Sequence, residues 1–255
     1  NMKSLLKRIR NEINLIRHIK KNICLLGTMP KSGTWLCQYF FWSLKKFSQN
    51  YEINIDKFNF KKDKVKNFIS INNSFILSGH SSCPGYDSTQ DIKFGKNWNK
   101  KQYWNQGYNF INREIGRAYN LKFNKNVRIL YLYRSPISQF FSQYNYNRNH
   151  KLKYYRKISE LSFSEFIFNT SALDSYIKQF HTYKVMKEYY PKNIKLISYE
   201  KLIKNPNEIF IEICDFFNIF DNIDKNRNII LKSVNFCKKE NLKKIEEILG
   251  HSLAG

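Results

Sequence analysis

The stretch Ile23-Cys24-Leu25-Leu26-Gly27-Thr28-Met29-Pro30-Lys31-Ser32-Gly33-Thr34-Trp35-Leu36 constrains this chain more than any other. A short apolar run, suited to a buried parallel strand, breaks into a loop of small residues with one lysine, and an amphipathic run follows at once. The pattern predicts a strand, an anion-binding loop and a helix in immediate succession. Gly33, with the small Ser32 and Thr34, lets backbone N–H groups turn inward, and the helix adds the positive end of its dipole. Lys31 supplies a full charge.

The ordinary nucleoside-triphosphate loop places its lysine after its second glycine. Here Lys31 precedes Gly33. Nor does an Asp close an apolar strand where a magnesium-holding Asp would stand, because the later apolar runs end at His80, Tyr133-Arg134 and Tyr199-Glu200. A metal-dependent, kinase-like phosphotransferase is therefore a disfavoured alternative, and no metal is expected.

Two further strand ends carry chemistry. Phe75-Ile76-Leu77 reads as a short buried strand that stops at Ser78-Gly79-His80. Val127–Tyr133 is the strongest strand signal in the chain; it stops at Arg134-Ser135-Pro136, where Pro136 suits the first turn of a helix. In open α/β sheets ligands sit beyond the carboxyl ends of the strands, which brings His80 and Arg134 towards the crevice of Lys31. Neutral imidazole takes up a proton near working pH, although a loop or capping histidine is the plainer alternative for His80. His18, His150, His181 and His251 have no comparable setting. Arg134 and Ser142, two helical turns apart on a similar face, suit a phosphate.

The order Pro30-Lys31-Ser32-Gly33-Thr34 resembles the 5′-phosphosulfate loop of sulfotransferases that use 3′-phosphoadenosine 5′-phosphosulfate (PAPS) as donor, and the resemblance continues in matching order over residues 22 to 240. It implies one three-layer α/β domain with a mostly parallel central sheet and a P-loop-like phosphosulfate loop, and the alternation of strands and helices agrees with it. It implies sulfuryl transfer from PAPS to an acceptor hydroxyl, with Lys31 and His80 as catalytic residues. Lys31, Ser32, Gly33 and Thr34 would hold the phosphosulfate, and His80, matching the family's strand-closing histidine, would be the general base. Arg134 and Ser142 match the family's Arg-x-x-x-Asp-x-x-x-Ser 3′-phosphate site, with Ser138 in place of the Asp. Tyr199, in Tyr199-Glu200-Lys201-Leu202, matches the tyrosine that approaches the adenine, and Phe236 matches the phenylalanine of the family's Thr-Ser-Phe segment, for which a core phenylalanine is an equal alternative. Trp35 stands one position before the family's adenine-stacking Trp, where this chain has Leu36. The family's Arg-Lys-Gly and Gly-x-Trp near the C-terminus are absent from this sequence. Either the chain is part of a longer one or Arg227, Lys238 or Lys239 serve instead.

With 255 residues and no Pro/Gly/Ser-rich linker, residues 1–255 are expected to form one domain. The net charge of +24 suits anionic partners, and a non-catalytic binder of polyanions or nucleic acid is the other alternative. Because Lys, Asn and Ile crowd the whole sequence, charge alone carries little weight, and no nucleic-acid partner is expected. Five scattered cysteines, Cys24, Cys37, Cys83, Cys214 and Cys237, form no disulfide or zinc pattern, so a reducing, cytoplasmic setting is expected. Residues 1–20 read as a basic amphipathic helix that leans on its own domain or lies on an anionic membrane surface; they lack the features of a signal peptide, and no run is long enough to span a bilayer. Asn1 precedes Met2, so the ends need not be native ends.

Helices are expected from Trp35 to Phe47, over 104–121, after a capping box at Ser162–Glu165, through Tyr176–Tyr189, and after Asn205-Pro206. Residues 194–200 read as a strand. Tyr86, Trp98, Tyr103 and Trp104 suit either an acceptor site or the core. The acceptor classes open to this chain are an acidic glycan or capsule-type polysaccharide, a phenol and a small lipid-linked substrate.

Overall fold

The computed structural model describes residues 22–29, 31–58, 68–80, 99–111, 127–149, 160–170 and 172–249. The expected helix over 1–20, as well as Pro30, Cys83, Tyr86 and Trp98, lie outside them. In chain order the elements are β1 (Asn22–Thr28), α1 (Thr34–Ser48), β2 (Phe68–Ile71), β3 (Ser74–His80), α2 (Lys100–Ile111), β4 (Val127–Tyr133), α3 (Pro136–Asn149), α4 (Phe163–Phe168), α5 (Ala172–Tyr189), β5 (Ile194–Ser198), α6 (Tyr199–Lys204), α7 (Pro206–Phe216), α8 (Arg227–Phe236) and α9 (Lys239–Leu249).

The strands form one sheet in the order β2-β3-β1-β4-β5. β3, β1, β4 and β5 run parallel, and β2 adds an antiparallel edge. β2 returns through Asn72-Asn73, with Asn72 at φ 43°, a left-handed position that asparagine tolerates better than most residues. Four residues after a lysine-rich stretch gave no strand signal of their own; pairing with β3 fixes them.

Alternation along the strands divides the core into two layers. Cys24, Leu26, Ile76, Leu130, Leu132 and Ile197 face α1, α7 and α8, where Phe40 stacks on Phe210 with ring centroids 3.9 Å apart. Ile23, Leu25, Phe75, Ile129, Tyr131 and Ile194 face the opposite way, towards α2, α3 and α5, and Tyr131 stacks on Tyr183 at 3.9 Å. Each such side chain, fully buried, contributes about 1.5–3 kcal/mol. The result is the expected three-layer α/β arrangement with a mostly parallel sheet. Trp104 belongs to the second layer, its ring 5.3 Å from Tyr190, which decides that residue in favour of core.

Two boundaries differ from expectation for local reasons. The strand over 194–200 stops at Ser198, because the Ser198 hydroxyl accepts the Lys201 N–H at 3.2 Å and caps a helix, so Tyr199 and Glu200 become its first residues. The helix expected from 104 begins at Lys100, since Asn99 and Gln102 exchange reciprocal hydrogen bonds of 2.7 and 3.0 Å at its start. The capping box at Ser162 and Glu165 is present as expected. Cys24, Cys37, Cys214 and Cys237 are buried free thiols. Among the described residues no helix is long and apolar enough to cross a membrane.

Candidate functional site

The carboxyl ends of four adjacent parallel strands meet along one edge of the sheet. β3 ends at His80, which is in register with Thr28 at the end of β1; β4 ends at Tyr133 beside Arg134, and β5 at Ser198 beside Tyr199. The β1–α1 loop lies at the centre of this edge.

The loop is held by short-range bonds. Met29 N–H donates to Leu132 O at 3.0 Å and Ser32 N–H to Met29 O at 3.1 Å, while the hydroxyls of Thr28 and Thr34 lie 2.5 Å apart across its base. Lys31 (φ 62°) and Gly33 (φ 89°) both adopt left-handed conformations. At Gly33 a side chain is also excluded sterically, because a Cβ there would stand 2.7 Å from Tyr199 Cε2. Gly33 is the N-cap of α1; no side chain caps that end and no acidic residue occupies its first turn. The amino-terminal N–H groups of α1 are thus not closed off by the chain's own anions.

Arg134 reaches across from β4. Its Nη1 donates to Lys31 O at 3.2 Å, its guanidinium carbon lies 5.1 Å from the centre of the Tyr199 ring, and its carbonyl accepts the Tyr176 hydroxyl at 2.8 Å. Ser32 Oγ and Arg134 Nε are buried without a hydrogen-bond partner among the described residues. An unpaired buried donor costs about 1–3 kcal/mol, and two of them, one in the loop and one beside it, suit an anion with several acceptor oxygens. Lys31 Nζ lies 3.6 Å from the centre of the Tyr146 ring. Burial raises the pKa of the Tyr199 phenol, with Arg134 partly offsetting it, so this ring is a neutral wall beside the guanidinium. Burial pushes the Cys37 thiol, one turn into α1, up to about 12.

The structure therefore gathers Lys31, Ser32, Gly33, Thr34, Arg134 and Tyr199. Ser142 stands on α3 one helical turn before Tyr146 and so on the face that meets Lys31. His80 has its backbone at this edge, and its side chain lies outside what is described. Trp35 is 40% exposed at the outer side of α1, its ring 6.4 Å from Tyr39. Phe236 is buried against Trp42 at 5.7 Å, further along α1; the neighbouring Cys237 thiol reaches Leu36 O at 3.9 Å.

Tyr146, Tyr176 and Glu200 are neighbours of the site that the sequence did not single out. Glu200 accepts the Ser135 N–H at 2.9 Å and fixes the turn after Arg134. Tyr146 had a signal in its four-residue spacing from Ser142; Tyr176, which arrives from a distant helix, had none. Among the described residues no group of three or more His, Cys, Asp and Glu side chains could hold a metal ion. A cavity of about 340 Å³ lies elsewhere, between the carboxyl end of α1 and the start of α8.

Compared with known proteins, residues 21–249 match the family described as a sulfotransferase domain. Among solved structures the chain is similar to mouse sulfotransferase SULT7A1 complexed with PAP, at 16% identity and a TM-score of 0.45, covering 88% of this chain and 66% of that one. It is also similar to retinol dehydratase in a complex with retinol and PAP, at 16% identity and a TM-score of 0.52, covering 91% of this chain and 70% of that one. The chain spans about two thirds of the length of these structures. The second likeness supports a common fold. None of the curated proteins matches by sequence.

Proposed function

The chain belongs to the sulfotransferase domain family, and from that premise we propose that it is a single-domain PAPS-dependent sulfotransferase that sulfates an acceptor hydroxyl. The observation that carries this reading is the pair of buried, unpartnered donors, Ser32 Oγ and Arg134 Nε, on either side of a glycine-capped helix start that has no acidic residue of its own. Such a site suits a ligand with two anionic groups.

In this reading the bound donor supplies the sulfuryl group, and the protein's part is positioning and charge. Lys31, the Ser32 hydroxyl and the N–H groups of Gly33 and Thr34 hold the 5′-phosphosulfate and balance charge on the oxygen that bridges phosphorus and sulfur. Arg134 and Ser142 hold the 3′-phosphate, and Tyr199, Trp35 and Phe236 border the adenine. His80 takes the proton of the acceptor hydroxyl. A strand end carrying Arg134 where a magnesium site would need an acid supports a metal-independent reaction. The charge of +24 suits an acidic glycan as acceptor, and the buried free thiols suit a cytoplasmic location.

The test is transfer of radiolabelled sulfate from PAPS to a panel of acidic glycans, phenols and hydroxylated lipids, with wild type and His80→Ala. The expected outcome is transfer to at least one class, lowered at least about 100-fold by the substitution with donor affinity kept. Near-normal turnover of His80→Ala would sink the base assignment, and transfer to none of the panel by a protein that also fails to bind PAP would sink the function.

A further inference from the structure

We propose that Tyr146 is the positioning residue of Lys31, its ring face holding the ammonium group at the loop; this deepens the sulfotransferase reading above and rests on it. Lys31 Nζ lies 3.6 Å from the centre of the Tyr146 ring, well inside the range of about 6 Å over which a ring face attracts a cation. The backbone of Lys31 is already fixed, because its φ is 62° and its carbonyl accepts a hydrogen bond from Arg134 Nη1 at 3.2 Å. What is left to order is the four-carbon stem, whose rotamer freedom is among the largest of any side chain. Tyr146 restricts that freedom.

The ring stands on a firmly held helix. Within α3 the Tyr144 hydroxyl donates to Leu161 O at 2.8 Å, and Phe140 packs edge-on to Tyr176 at 5.5 Å. Tyr176 in turn donates to the carbonyl of Arg134, so the seat of the lysine and the arginine at the end of β4 share one support. The choice of an aromatic seat has a chemical reason. A carboxylate in the same place would neutralise the ammonium and repel an anionic donor, whereas a ring quadrupole orients the cation without neutralising it.

The experiment compares Tyr146→Phe and Tyr146→Leu, each in the wild-type and Lys31→Ala backgrounds, following kcat, the KM for PAPS and PAP affinity. Tyr146→Leu is expected to lower kcat by about 3- to 20-fold while PAP affinity holds, and Tyr146→Phe to stay within about twofold of wild type. In the Lys31→Ala background Tyr146→Leu is expected to add no further loss. Equal losses in the Phe and Leu variants, or an undiminished loss in the Lys31→Ala background, would overturn the proposal. A second readout needs no turnover: in protein with 13C-methylated lysines, the Lys31 signal, assigned by its disappearance in Lys31→Ala, is expected to be ring-current shifted in wild type and Tyr146→Phe and unshifted in Tyr146→Leu. An unshifted Lys31 signal in wild type would overturn the inference even if the enzyme proves to be a sulfotransferase. A shifted signal in a protein that neither binds PAP nor transfers sulfate would refute the functional reading alone.

Discussion

The two ends of α1 solve the same problem in opposite ways. At its carboxyl end the last turn carries Lys45 and Lys46, and the Gln49 N–H returns to Lys46 O and Phe47 O, so the negative end of the helix has cations in its last turn and is closed by its own chain. The cavity beside that end has its charges matched too, since Lys232 lies 3.6 Å from Glu52 and over the ring of Phe47. At the amino end the chain withholds the equivalent partners: no side-chain cap, no acid in the first turn, and two buried donors left unpaired. In the proposed function this open end receives the donor's 5′-phosphosulfate.

Substituting Gly33→Ala should break this contrast most severely. The left-handed backbone costs a non-glycine residue about 1–3 kcal/mol, and the new Cβ would collide with Tyr199 Cε2 at 2.7 Å. We expect PAP affinity to fall by about 100-fold or more, with a lowered melting temperature; a variant that melts and binds like wild type would show that the amino end does not depend on its glycine.

The packing of β1 against the start of α1 is tested by alkali. The Cys37 thiol is held near 12 by burial, as is Cys24, against an ordinary value near 9. Because the folded values are raised, the stabilising contribution is intact below pH 9 and is lost as pH rises towards 12. The slope is about 1.4 kcal/mol per pH unit for each such thiol. Denaturant melts at a series of pH values should show a decline above pH 9, which the Cys37→Ser variant would lessen; stability independent of pH up to 11 would count against burial of these thiols.

Ser32→Ala sharpens the contrast by separating stability from binding. Removing an unpaired buried hydroxyl should leave the ligand-free protein as stable or about 1 kcal/mol more so, while PAP binds about 5- to 10-fold more weakly. Loss of stability without loss of binding would mean that the hydroxyl serves the fold. At the opposite end, Glu52→Gln removes an exposed pair and should change stability by less than about 0.5 kcal/mol, with PAP binding unaltered; an effect on binding would show that the two ends are coupled.

The parts of this site that lie within a few residues of one another were legible in the sequence. The loop, Arg134 at the close of the strongest strand and Pro136 opening α3 follow from local chemistry, and the ordering of strands and helices predicted the layers. What the sequence hid depends on pairing at a distance. β2 exists because Phe68–Ile71 pairs with β3, and Tyr176 meets Arg134 from 42 residues away. Tyr199 read as the end of a strand because its residue types suit one; the hydroxyl of Ser198, one position earlier, turned it into the start of a helix.

The central claim is tested most directly by calorimetric titration of PAP into wild type and Arg134→Ala, in magnesium-free buffer, with ATP plus magnesium as the comparison. The account predicts one-to-one, metal-independent binding of PAP that weakens by about 10- to 100-fold in the variant, consistent with the loss of charge-assisted hydrogen bonds, while both proteins stay folded. Absence of PAP binding to folded wild type, or equal affinity in the two proteins, would contradict it.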